Sequence, residues 1–186
     1  MALALDDLSD LIDESSLGTS ADGGAGWAND LVKRLVDASG LDAEVVLGVG
    51  GGRDSWDVAV MAETLTVALI GVVADTEHPL DGLDRIEARA NRRWRRETRQ
   101  HSNGQIRPWI GVIVIGQLDE SSEVDAQLEE LTRCRTLDAA FSNSQAVRPI
   151  GDTLGIQPFA ASLLGRFVYV RSVLDSSAAV DTAGGY

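Results

Sequence analysis

The chain has 186 residues, 44% of them hydrophobic, and a formal charge of −13, enough for one domain with a core and too little for two of ordinary size. No apolar run approaches the roughly 18 residues of a membrane span, the acidic start "MALALDDLSDLIDE" lacks the basic region of a secretory signal, and Cys134 as sole cysteine excludes an intrachain disulfide or a cysteine-rich metal site. The expectation is a cytoplasmic protein without a membrane partner, whose bulk charge opposes indiscriminate binding of polyanions.

Residues 1–26 read as an acidic arm and linker: Leu5, Leu8 and Ile12 fall near helical spacing, and "ESSLGTSADGGAG" is linker-like. The single domain is expected over 27–174. It opens with a helix from Trp27 to Ala38, its apolar stripe being Leu31, Val32, Leu35 and Val36, with Gly40 as its stop. "AEVVLGV" predicts a first strand and "GGGRD" a tight loop. Strands Trp56–Met61 and Leu65–Val73 follow, joined by a turn near residues 62–64. The arginine-rich segment predicts a helix that starts at "EHPLDG" and breaks at "HSNGQIRP". "WIGVIVIG", Trp109–Gly116, has the unbroken apolar character of a strand covered on both faces. Helices are expected over 123–141 and 156–174, then a loose tail over 175–186. This order predicts an α/β fold, with a mixed α+β sheet flanked by helices.

The pair "SWDVAVM" and "LTVALIGVVADTE" carries the chemical question. Metal-assisted hydrolysis of a phosphodiester needs oxygen ligands for Mg²⁺ and a positioned base or cation near the attacking water. A strand with an Asp beside a strand with ExK supplies both, because residues two apart on a strand face the same way. Asp57 has the first role available to it. The second strand is apolar through Val73 and turns acidic only at Asp75 and Glu77.

"DLVKRLVDASGL", "SWDVAVM", "RPWIGVIVIGQLDES" and "IQPFAASLLGRFV", in that order from about Trp27 to Val170, resemble the type II restriction endonuclease family of XhoI and PaeR7I. The resemblance implies a restriction-endonuclease-like core, double-stranded DNA as partner and a homo-oligomer, specifically a dimer. It puts the catalytic Asp on Asp57 and the Glu-Phe-Lys on Gly71, Val72 and Val73. That departure removes a metal ligand and the lysine together, which implies an inactive, degenerate site with neither metal nor other cofactor. Asp75 lies roughly 13 Å farther along an extended strand than Gly71. Glu87 is the candidate for a migrated ligand, and Lys33, the sole lysine, is distant in sequence. Three readings stand: packing in place of chemistry on a nuclease sheet, an ordinary buried strand with Asp57 as a surface or capping residue, and an active nuclease with relocated ligands.

The stretch "RIEARANRRWRRETR" has seven arginines against Glu87 and Glu97. On a helix, Arg85, Arg89, Arg92, Arg96 and Arg99 form one stripe, with Ile86, Ala90 and Trp94 turned toward the core. The planar guanidinium fork suits phosphate, so these five are the candidate DNA-binding residues. The competing readings are an acidic protein partner and a solvated face. They give two functions: an inactive nuclease-fold protein that binds DNA, or a structural or assembly protein, of viral or cellular origin, that uses the fold for contacts between chains. His78 and His101 read as loop residues, "GVGGGRD" as a loop lacking the lysine and helix of a P-loop, and Cys134 as a core residue.

Overall fold

The computed structural model describes residue 12 and residues 24–50, 55–74, 78–100, 106–116, 121–143, 148–149 and 151–183, with the side chains of 97–100 and 179–183 left aside. Helix α1 (Ala25–Ser39) forms on the apolar spacing of its sequence, and Trp27, Leu31, Val32, Leu35 and Val36 are all buried. It stops at Gly40, whose φ of 66° lies in the left-handed region and whose amide donates to the Asp37 carbonyl. Only a residue without Cβ takes that conformation cheaply.

Strands β1 (Glu44–Val49), β2 (Trp56–Ala62) and β3 (Leu65–Val73) make an antiparallel meander. Glu63, with φ 52°, closes the tight turn between β2 and β3. Helix α2 (Pro79–Gln100) then returns across the sheet to β4 (Trp109–Val114), parallel to β3. Proline at its first position and Asp81 in its first turn suit a helix start. Helix α3 (Ser121–Arg133) leads to β5 (Ala139–Ser142), parallel to β4, and α4 (Ile156–Ala183) closes the order. The sheet has five strands in the order β1-β2-β3-β4-β5.

Alternation along the strands divides the core in two. One half packs Val58, Val60, Ala68, Ile70, Val72 and Ile113 beneath α1 and α4, and Ile12 of the arm is buried in it. The other packs Ala59, Leu69, Val73, Ile110, Val112 and Val114 beneath α2 and α3. Every residue of β4 is buried, as its unbroken apolar run predicts.

Two expectations change. Residues 139–142 form a strand where the sequence suggests helix: the chain leaves α3 through Arg135, at φ 57°, and pairs along β4 with Gly111 opposite Ala139. A free sheet edge beside a short apolar segment outweighs that segment's weak helical pattern. At the other end, α4 runs on to Ala183, well past the expected end at residue 174. The expected arm helical segment lies outside the described residues except for Ile12, as do residues 14–23 of the expected linker and most of "GGGRD"; the linker's last residues, 24–26, instead cap and begin α1. No helix among the described residues is long and apolar enough to cross a membrane.

Candidate functional site

The β2–β3 register pairs Val58 with Ile70, so its next step sets Asp57 opposite Gly71. The half-buried Asp57 uses its carboxylate on the backbone: Oδ2 accepts the Val72 amide at 2.8 Å. This bond caps β3 where the ladder to β2 ends. Helix α2 crosses directly above. A Cβ built on Gly71 would stand 2.6 Å from Ile86 Cδ1 and 2.9 Å from Cγ1. Ile86 and Val73 are buried in the same cluster. The space that a carboxylate and a lysine would need at 71 and 73 is therefore occupied by hydrocarbon. Burial of Ile86 contributes about 1.5–3 kcal/mol relative to exposure.

Lys33 and Glu87 are the relocation candidates among the described residues. Lys33 is exposed on α1, which covers the opposite face of the sheet. Glu87 is half-buried on α2 beside Ile86, and Asp75 and Glu77 lie outside the described residues. No group of three or more His, Cys, Asp or Glu with the geometry to hold a metal ion occurs among the described residues.

Helix α2 has Leu83, Ile86 and Ala90 in the core and its arginines around the remaining circumference. The stripe is not uniform. Arg85 and Arg96 are exposed and Arg92 is half-buried, whereas Arg89 is buried at 9% relative exposure; the Arg99 side chain lies outside the described ones. Arg85, Arg89, Arg92, Arg93 and Arg96 each engage in an interaction within the chain. Arg95, off the stripe, is exposed. Because α2 runs antiparallel to β3 and β4, its arginine-dense end lies toward the start of β4. At 1.5 Å per residue, Arg96 sits about 15 Å along the axis from Ile86 and the Gly71 position.

At that end the tertiary structure joins Trp94 to residues that the sequence did not single out. Trp94 donates its indole N–H to the Thr136 carbonyl at 2.9 Å, and the Arg107 guanidinium lies 4.5 Å over the Trp94 ring. Arg107 pairs with Asp138 at 2.7 Å, while the second Asp138 oxygen accepts the Ile110 amide at 2.8 Å. From α4, Arg166 donates to the Arg107 carbonyl and lies 5.7 Å from the Tyr169 ring centroid. Burial holds the Arg166 guanidinium below the ordinary arginine range; Asp138 opposes this and the positive charge of Arg107 adds to it. In sequence Arg107 and Asp138 are 31 residues apart, and no local spacing announces them.

A second cluster joins α3, the end of β5 and the approach to α4. Arg148 contacts both Asp125 oxygens at 2.8 and 3.0 Å, Asp152 at 2.8 Å and the Ser142 carbonyl. All three charged side chains are largely buried, and their mutual pairing reads as a staple between elements. Burial disfavours the Arg148 charge, but the bonds to Asp125 and Asp152 outweigh it and raise its pKa.

Cys134 corrects an expectation: it is exposed rather than in the core. Its thiol lies 3.0 Å from Glu130, a hydrogen bond that raises its pKa and keeps it a poor nucleophile. His78 precedes α2, where its carbonyl accepts the Gly82 amide; His101 lies outside the described residues. Comparison with protein-family models, with curated proteins and with solved structures finds no match.

Proposed function

We propose that the chain is a catalytically inactive protein with a restriction-endonuclease-like core that binds double-stranded DNA through arginines of α2. One observation carries the reading. The register sets Asp57 opposite Gly71, the position to which the resemblance assigns the catalytic carboxylate, and Gly71 is packed under Ile86. The strand pair keeps the scaffold of a metal site while its functional groups are replaced by core. The helix that fills it presents Arg85, Arg95 and Arg96 to solvent, and guanidinium groups are suited to phosphate because they keep their charge and donate in pairs. A dimer follows from the family resemblance alone.

The assembly-protein reading has an observation of its own. Arg89 is buried and four arginines of the stripe already interact within the chain, as expected where an arginine-rich helix serves protein contacts.

Duplex binding measured by fluorescence anisotropy from about 50 to 200 mM salt in Mg²⁺ separates the two. Three phosphate contacts give a log–log slope of about −2.7, and Arg95→Gln/Arg96→Gln reduces its magnitude by about 1.8. The same samples run on a gel are expected to hold intact DNA. Absence of binding at the lowest salt removes the DNA reading in favour of assembly, and Mg²⁺-dependent cleavage removes the inactive one.

A further inference from the structure

The geometry points to a DNA-contacting surface that continues from the end of α2, around the amino end of β4, onto α4 through Arg107, Arg166 and Tyr169. This extension rests on the proposed DNA reading and adds the side of the molecule that the duplex follows.

Arg107 links the two helices. It stands just before β4, between helices that cover opposite faces of the sheet, and it touches both. Its guanidinium lies 4.5 Å over Trp94 of α2, and its carbonyl takes the Arg166 hydrogen bond from α4. Stacking on an indole holds a guanidinium plane while leaving its edges open to acceptors. The Arg107 side chain keeps 45% of its surface exposed.

Among the described residues, this end has more guanidinium groups than carboxylates paired with them. Among the described residues Asp138 is the carboxylate that pairs with Arg107, and its other oxygen is taken by the Ile110 amide. Arg166 has no ion pair with a described carboxylate, and its Nε is buried without a hydrogen-bond partner. Among the described residues, the two neighbouring guanidinium groups thus have one paired carboxylate between them. An approaching phosphate would relieve their repulsion. Tyr169, 53% exposed beside Arg166, adds a phenolic hydroxyl as a further donor. Arg95 and Arg96, exposed on α2 next to Trp94 in sequence, add further guanidinium groups at this end of the helix. A row of guanidinium groups spread over two helices fits a run of phosphates better than one small anion held in a pocket.

The location has a consequence. β3 and β4 pair from Ala68 with Trp109 at this end to Val73 with Val114 at the other. Asp57 and Gly71 therefore lie toward the far end, and DNA held here does not need the filled site.

The test compares duplex binding by the whole chain with Arg166→Gln, Arg166→Lys and Tyr169→Ala over the same salt range, with circular dichroism and melting as controls for folding. Loss of one phosphate contact is expected to reduce the slope magnitude by about 0.9 in Arg166→Gln, and Arg166→Lys is expected to retain most of it. Tyr169→Ala, at a position outside the core, is expected to weaken binding severalfold and keeps the test decisive should Arg166→Gln fail to fold. Binding by Tyr169→Ala and every folded Arg166 variant that matches the unaltered chain, while Arg95→Gln/Arg96→Gln loses affinity, overturns the extension and leaves the α2 reading in place. Failure of the unaltered chain to bind overturns both.

Discussion

Gly71 shows how one residue decides between chemistry and packing. In sequence it is a gap in an apolar run where a carboxylate is sought. In the fold its missing Cβ lets Ile86 of α2 approach the sheet, so its absence of side chain is itself a packing feature. Gly71→Ala is expected to destabilise the protein by about 1–3 kcal/mol through overpacking. Adding Ile86→Val, which removes the Cδ1 atom at 2.6 Å, is expected to recover part of that loss in a urea melt. An unperturbed Gly71→Ala would mean that α2 does not press on this position. Asp57 teaches the companion lesson: its residue type and strand suit a metal ligand, but its hydrogen bond to the Val72 amide serves the backbone equally well. Sequence alone left both roles open, because the difference lies in a partner on the neighbouring strand.

At the scale of elements, legibility followed the strength of the local pattern. Helices α1 and α2 and strands β2, β3 and β4 were readable, since their apolar periodicity, glycines and proline act locally. Strand β5 was not, because "AAFS" becomes a strand only through the edge that β4 offers it. The Arg148 cluster is the same kind of feature, holding α3 and β5 to the start of α4 from positions far apart in sequence. Arg148→Ala would leave Asp125 and Asp152 buried without their cation and is expected to cost about 3–5 kcal/mol. A pH series supplies a second check. The Leu154 amide holds the Asp152 carboxyl below its usual range; burial opposes this and Arg148 supports it. A depressed folded pKa gives stability that is present above the unfolded value, about 3.9 for Asp, and is lost as pH falls through the folded one. Acid melts below about pH 4 should accordingly show a smaller loss in Arg148→Ala than in the unaltered chain.

For the whole molecule, Ile12 joins the acidic arm to the core under α1 and α4, on the sheet face away from α2. Ile12→Ala is expected to cost about 2 kcal/mol, a fall in melting temperature of about 4–8 °C in a chain of this size. An unchanged melt would mean that the arm contributes nothing to the domain. The sequence by itself determined the α/β class, the order of most elements, the apolar strand at 65–73 and the concentration of arginine on one helix, because each is written in local periodicity or composition. Only the tertiary structure decided that Ile86 fills the Gly71 position, that Arg89 is buried within the stripe, and that Arg107, Arg166 and Tyr169 meet at the amino end of β4. Those facts depend on which faces of distant segments come together, and the pairing of strands and the packing of helices across them fix that choice.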